Sequence, residues 1–461
     1  MGDHDRRRAG RGRQSRPGPA GSAPPSRPKV DPARRAAWEV LKAVRVDDAY
    51  ANLVLPQMLE KYDLSGRDAG FVTELASGAL RGQGTYDAII DACLTKPKLE
   101  GKVRDVLRLG VHQLLAMRVP DHAAIATSVE LTRDRVGQGP TGLVNAVLRK
   151  VASQDLDAWI DQVAPGEPGS AAQLAVATSH PAWVVDALAE ALEGHGRDRA
   201  ELPALLEADN AAPQVTLVAR PGLVDEDEMR AAGAEPTGRS PYAWTWGGGD
   251  LTSLPALVQG RAGVQDEGSQ RVALALADAS VEGRDERWLD LCAGPGGKSA
   301  LLAALAAQRG AKVLANESQH HRAQLVQRGV RSVRDGILGV VTGDGTRPAW
   351  RPDTFDRALV DAPCSGLGAL RRRPESRWRR QPRDVEVLVR LQRALLVSAL
   401  DAVRPGGVVV YATCSPVVAE TIGVVSAVLR ARDDAHLESS WQLWPHTDGC
   451  DAMYAATLRR T

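Results

Sequence analysis

The chain has 461 residues, 43% hydrophobic and 25% charged, with a formal net charge of +1. That balance fits a globular protein of roughly two to four domains and excludes a polycation. No apolar run approaches the ~20 residues that span a bilayer, so no membrane is expected.

Residues 1–30 carry Arg6, Arg7, Arg8, Arg11, Arg13, Arg16, Arg27 and Lys29 among Gly, Pro and Ser. Without an apolar core this start is no secretory signal, and a cytoplasmic location is expected. It reads as a disordered basic tail, either a solubilising segment or a loose contact to phosphates.

Residues 31–155 read as an all-helical domain. Trp38, Leu41 and Val44 form one apolar stripe at helical spacing, and Val103, Val106, Leu107, Val111, Leu114 and Leu115 form another. Residues 156–283 read as a linker, rich in Pro and Gly up to about residue 175, and then a small α+β subdomain. Within it residues 183–192 look helical and residues 214–219 alternate like a strand.

From residue 284 to 461 strands and helices alternate, with strands predicted at 288–291, 312–315, 339–342, 357–360 and 407–411. This is the pattern of a parallel sheet covered on both faces, an α/β Rossmann-like domain.

The five cysteines are Cys93, Cys292, Cys364, Cys414 and Cys450. The odd count, wide spacings and lack of any CxxC argue against a disulfide framework or a metal site. Three of them stand in motifs.

The first motif is Leu289-Asp290-Leu291-Cys292-Ala293-Gly294-Pro295-Gly296-Gly297-Lys298-Ser299, a strand entering a glycine turn that opens a helix. Such a turn allows close backbone approach to a ligand at the crevice of a doubly wound sheet. Glu317 ends the next strand, nineteen residues after Lys298, where a carboxylate can accept from ribose hydroxyls. Asp344 also lies at a strand end and either faces an adenine or caps a turn. Asp361-Ala362-Pro363-Cys364-Ser365-Gly366 and Tyr411-Ala412-Thr413-Cys414-Ser415-Pro416 follow two further strands. Two thiols, carboxylates and a lysine therefore converge on one sheet edge. Beyond Cys364, the cluster RRRPESRWRR at 371–380 is the second basic segment. It reads as a phosphate clamp in which Trp378 either stacks on a base or anchors the loop.

These motifs resemble those of the bacterial Sun/Fmu (RsmB) family of ribosomal RNA 5-methylcytosine methyltransferases. LDLCAGPGGKS resembles the family's cofactor loop, and DAPCSG and YATCS resemble its two cysteine motifs in order. The helical domain, notably RDAGFVTELASGALRG at 67–82, resembles NusB, an RNA-binding protein. The likeness spans about residues 33–457. Glu317 stands where the family usually has Asp, and Glu420-Thr421 where Glu-Asn is common.

Cytosine C5 is a poor nucleophile until a thiolate adds to C6, and cysteine suits that task. The resemblance implies that Cys414 is the nucleophile and that Cys364 assists product release. It implies that Asp361 contacts the cytosine and that Lys298 supports the site. Cys292, Ala293, Gly294, Pro295, Gly296, Gly297, Lys298, Glu317, Asp344 and Asp361 are then expected to hold S-adenosyl-L-methionine. The expected partner is 16S rRNA or a small-subunit precursor, with no metal and with the chain as a monomer. Other readings are the same chemistry on tRNA or another rRNA site, a non-catalytic RNA-binding or assembly factor, and a small-molecule methyltransferase.

Overall fold

The computed structural model describes residues 30–96, 98–249 and 251–461. The expected basic tail lies outside the described residues, Val30 excepted.

The N-terminal part is helical. Seven helices run from Pro32–Val46 to Thr141–Val151. The first starts where Asp31 accepts from the Ala33 N–H (3.0 Å) and proline opens the helix. Trp38, Leu41, Val103, Val106, Leu107, Val144 and Leu148 meet in one core. Gly110 allows the close crossing there, since a Cβ at that position would sit 2.7 Å from the Leu148 side chain.

The segment read as a linker carries helices of its own, Leu156–Val163 and Ala171–Ala177. Trp159 of the first is buried in the helical core and donates to the Val151 carbonyl (2.9 Å). Proline and glycine punctuate only the turn between the two helices. The helix Ala182–Gly194 then packs against Leu367, Leu370, Val417 and Trp444 from the C-terminal part.

A small antiparallel sheet follows: β1 (Val215–Ala219), β2 (Ala234–Pro236), β3 (Ala243–Trp246) and β4 (Ala262–Val264), in the order β2-β3-β1-β4.

The C-terminal sheet has seven strands: β5 (Arg287–Asp290), β6 (Lys312–Glu317), β7 (Ile337–Thr342), β8 (Phe355–Asp361), β9 (Val403–Thr413), β10 (Ala435–Gln442) and β11 (Tyr454–Arg460). Their order is β10-β11-β9-β8-β5-β6-β7. The first five strands run parallel, the Rossmann-like arrangement that alternation of strand and helix predicts. The two antiparallel strands β10 and β11 extend the edge beyond the expected parallel sheet. β10 is mostly solvated, so it lacks the apolar run that marks the buried strands. Neighbouring residues of β5 feed opposite faces: Trp288 packs under helix Gly297–Ala307, and Leu289 packs with helix Pro382–Ala402. Strand order reverses at β5, which places a crevice at the carboxyl ends of β5, β6 and β8. Among the described residues no helix is long and apolar enough to cross a membrane.

Candidate active site

The glycine turn links β5 to helix Gly297–Ala307. Gly296 has φ 110°, a left-handed conformation that favours glycine, and a Cβ there would lie 2.8 Å from the Val326 backbone. At Gly294 a Cβ would meet the Glu317 carboxylate at 2.1 Å, so a side chain there would displace that carboxylate. Glu317 Oε2 instead accepts from the Gly294 N–H (3.0 Å), and Arg322 donates to the Gly294 carbonyl (2.7 Å). Beneath the turn, Asn316 donates to Leu291 O (2.9 Å) and Gly343 O (3.1 Å), tying three strand ends together.

Asp290 is fully buried and accepts from Ser299 Oγ (2.6 Å). Burial pushes its carboxyl up to about 7. The Cys292 thiol is held well above the usual range by burial, aided by the charges of Asp290, Asp361 and Glu317. It is a poor nucleophile as placed.

Lys298, in the first turn of that helix, donates to Asp361 Oδ2 at the end of β8 (2.8 Å). Burial works against the ammonium, but Asp361 outweighs it and the Lys298 pKa is raised. The two cysteine turns leave the neighbouring strands β8 and β9, whose register pairs Asp361 with Ala412. Cys364 Sγ lies 3.4 Å from Cys414 Sγ. Both residues are partly exposed. The hydrogen bond with Cys364 lowers the Cys414 thiol against the opposing effect of burial, with help from Lys298 and Arg373. The same bond, joined by burial, raises Cys364 well above the usual thiol range.

Glu420, which the sequence offered only within a motif comparison, joins the two turns. It is fully buried. It accepts from Ser365 N (2.8 Å), Ser365 Oγ (2.5 Å), Ser415 Oγ (2.7 Å) and Gln392 Nε2 (3.1 Å). The available signal was a serine directly after each cysteine. Gly368 closes the same corner: its N–H donates to Cys414 O (2.9 Å), and a Cβ would meet Ala452 O at 2.1 Å.

Lys298, Asp361, Cys364 and Cys414 thus come together beside the glycine turn, with Glu317 across it. Asp344 stands apart. Its exposed carboxylate accepts from Thr346 N (2.9 Å) and Oγ1 (2.8 Å) and caps a turn.

The segment 371–380 is a bracket between domains rather than an open phosphate clamp. Arg371 and Arg372 pair with Asp451 and Asp266. Arg377 is fully buried and donates to Asn210 Oδ1 (2.7 Å), Ser179 O (3.1 Å) and Asp209 O (3.2 Å). Glu375 accepts from Ala51 N (3.1 Å), and Arg379 pairs with Asp48 (3.0 Å). Trp378 packs on Gly84, where a Cβ would intrude to 2.6 Å, so its ring is an anchor. A charge run in sequence carries no record of the acidic partners that fold against it.

Comparison with known proteins gives the family and the fold. The family described as 16S rRNA methyltransferase RsmB/F matches residues 279–459, and the NusB family matches residues 31–153. A Mycobacterium tuberculosis protein named as a methyltransferase is 47% identical, over 95% of this chain and 98% of its own length. The ribosomal RNA small subunit methyltransferase B of Erwinia tasmaniensis is 32% identical, over 92% of this chain and 97% of its own. The crystal structure of PH0851 shares the fold, with a TM-score of 0.76 at 20% identity over 94% of this chain and 99% of that one. By its paired cysteine turns, its sheet and these relatives of matching length, the chain belongs to the RsmB/F family of 16S rRNA methyltransferases, with a NusB domain at its N-terminal side.

Proposed function

We propose that this protein transfers a methyl group from S-adenosyl-L-methionine to C5 of a cytosine in 16S rRNA through a covalent Cys414–C6 adduct. The observation that carries the reading is the pair of thiols 3.4 Å apart beside the Lys298–Asp361 ion pair. One thiol is biased toward thiolate and the other toward the protonated form.

The residues fit the methyl donor. Gly296, which tolerates no side chain, and Gly294 leave bare backbone at the helix start, and Glu317 and Asp361 end β6 and β8 on the same side. Residues 292–298 and Glu317 would line the adenosyl moiety, and Asp361 would stand close to the reacting end. Asp344 is proposed at the adenine edge, where its carboxylate is accessible. When bound, S-adenosyl-L-methionine supplies an electrophilic methyl group.

Cys414 adds to C6 of the cytosine and forms the C6–S bond. Charge on the pyrimidine is relieved by the Asp361 carboxyl near N3, which Lys298 orients. After methylation at C5, a water beside Cys364 takes the C5 proton, the C–H electron pair re-forms the C5–C6 double bond, and the C6–S bond breaks, returning its electron pair to Cys414. Cys364 assists that elimination. The target base must leave its stack to reach the thiol.

Bisulfite sequencing of RNA from cells with and without the gene tests this reading. One 16S rRNA cytosine should lose its protection when the gene is absent. Unchanged protection throughout 16S rRNA overturns the assignment.

A further inference from the structure

Among the described residues the bracket at 371–380 leaves the Arg373 and Arg380 side chains without an ion pair or hydrogen bond, and of these two only Arg373 is exposed. Arg371, Arg372, Arg377 and Arg379 are each tied down by hydrogen bonds or ion pairs, whereas Arg373 is exposed and forms no ion pair within 4.0 Å among the described residues, although its charge is felt by Glu375 two residues on. Its guanidinium lies 5.0 Å from the centre of the Tyr50 ring, which belongs to the NusB domain. Arg379 lies 4.6 Å from the same ring and holds it in place through Asp48 and the Ala49 carbonyl. Glu375 accepts from the Ala51 N–H next door, so both sides of the junction are anchored. Cation–π contact holds a guanidinium on a ring while leaving its N–H donors free.

We propose that Arg373, seated on Tyr50, grips an RNA phosphate beside the cytosine that enters the Cys414 site. This rests on the proposed RNA methyl transfer at Cys414. The position suits the task, because Arg373 follows the Cys364 turn by nine residues and its charge reaches the Cys414 thiol. A guanidinium also matches phosphate in geometry, with two N–H donors available to one anion. The NusB domain thereby contributes a residue to the substrate entrance instead of acting only as a remote grip. Its docking on the catalytic domain is what orients Arg373.

The test uses the full chain and 16S rRNA purified from cells lacking the gene. RNA binding is measured against salt concentration, methyl transfer by KM and kcat, and cofactor affinity separately. For Arg373→Ala we expect KM for RNA to rise about tenfold and the salt slope of RNA binding to fall by about one. Cofactor affinity should not change. Arg373→Lys should keep the salt slope and recover part of the KM, because the charge remains but the planar stacking is lost. Tyr50→Ala should raise KM several-fold with the slope retained, as Arg373 stays charged but loses its seat. Unchanged KM and slope in Arg373→Ala overturn the proposal. So does a fall in kcat alone with an upward shift of the acid limb, which would mean that Arg373 only tunes the thiol. If the unmodified chain methylates no RNA, the proposed function fails. The binding slope of Arg373→Ala then still decides the phosphate contact.

Discussion

Cys364 Sγ and Cys414 Sγ stand 3.4 Å apart on the turns that leave two adjacent parallel strands. A thiol that donates to its neighbour stabilises the neighbour's thiolate, so one hydrogen bond drives the two pKa values in opposite directions. Cys364→Ala removes the donor, and the Cys414 pKa should rise. Alkylation of Cys414 by iodoacetamide, followed by mass spectrometry across pH, should show its midpoint move upward and its rate at pH 7 fall severalfold. A midpoint that stays in place would show that the proton is not shared.

The two thiols should also fail in different ways. Cys414→Ala should abolish methyl transfer. Cys364→Ala should bind RNA and accumulate a denaturation-stable protein–RNA adduct, visible as a slower band on a denaturing gel. Normal turnover by Cys414→Ala would exclude this thiol as the nucleophile.

Glu420 receives four hydrogen bonds from both cysteine turns and Gln392. Glu420→Ala leaves buried donors without an acceptor, at a cost of about 3 kcal/mol. We expect a lower melting temperature and at least a tenfold fall in kcat, with KM for RNA little changed. Glu420→Gln should restore most of the stability, because its amide oxygen can accept from Ser365 N and Gln392 while its amide nitrogen donates to the Ser365 and Ser415 oxygens. A variant that is merely less stable, with kcat intact at low temperature, would limit Glu420 to a structural role.

Asp209 is fully buried beside Arg377, and burial raises its carboxyl from 3.8 to about 7. The folded value exceeds the unfolded one, so folding favours the protonated form. That contribution is complete below about pH 4 and is lost as pH rises through about 7. Asp209→Asn stays neutral throughout. Its melting temperature should gain on that of the parent by roughly 3 °C or more between pH 5 and pH 8. A constant difference across that range would mean that Asp209 does not titrate there.

Local chemistry was legible in the sequence because its signals act over a few residues. Alternation marked β1, short apolar runs marked the strands β5 to β9, and glycine spacing marked the turn after β5, since strand faces and left-handed turns are decided by near neighbours. The cysteines fell at strand ends for the same reason. What only the tertiary structure decided depends on residues distant in the chain. The 3.4 Å contact between the two sulfurs and the joining of Ser365, Gln392, Ser415 and Glu420 follow from the register of β8 on β9, which no local pattern encodes. The basic segment at 371–380 was legible as charge, but its destination was set by Asp48, Asp266 and Asp451, three carboxylates brought to it by folding. Burial pairs a charge with whatever opposite charge the fold places within reach, and that choice is made in three dimensions.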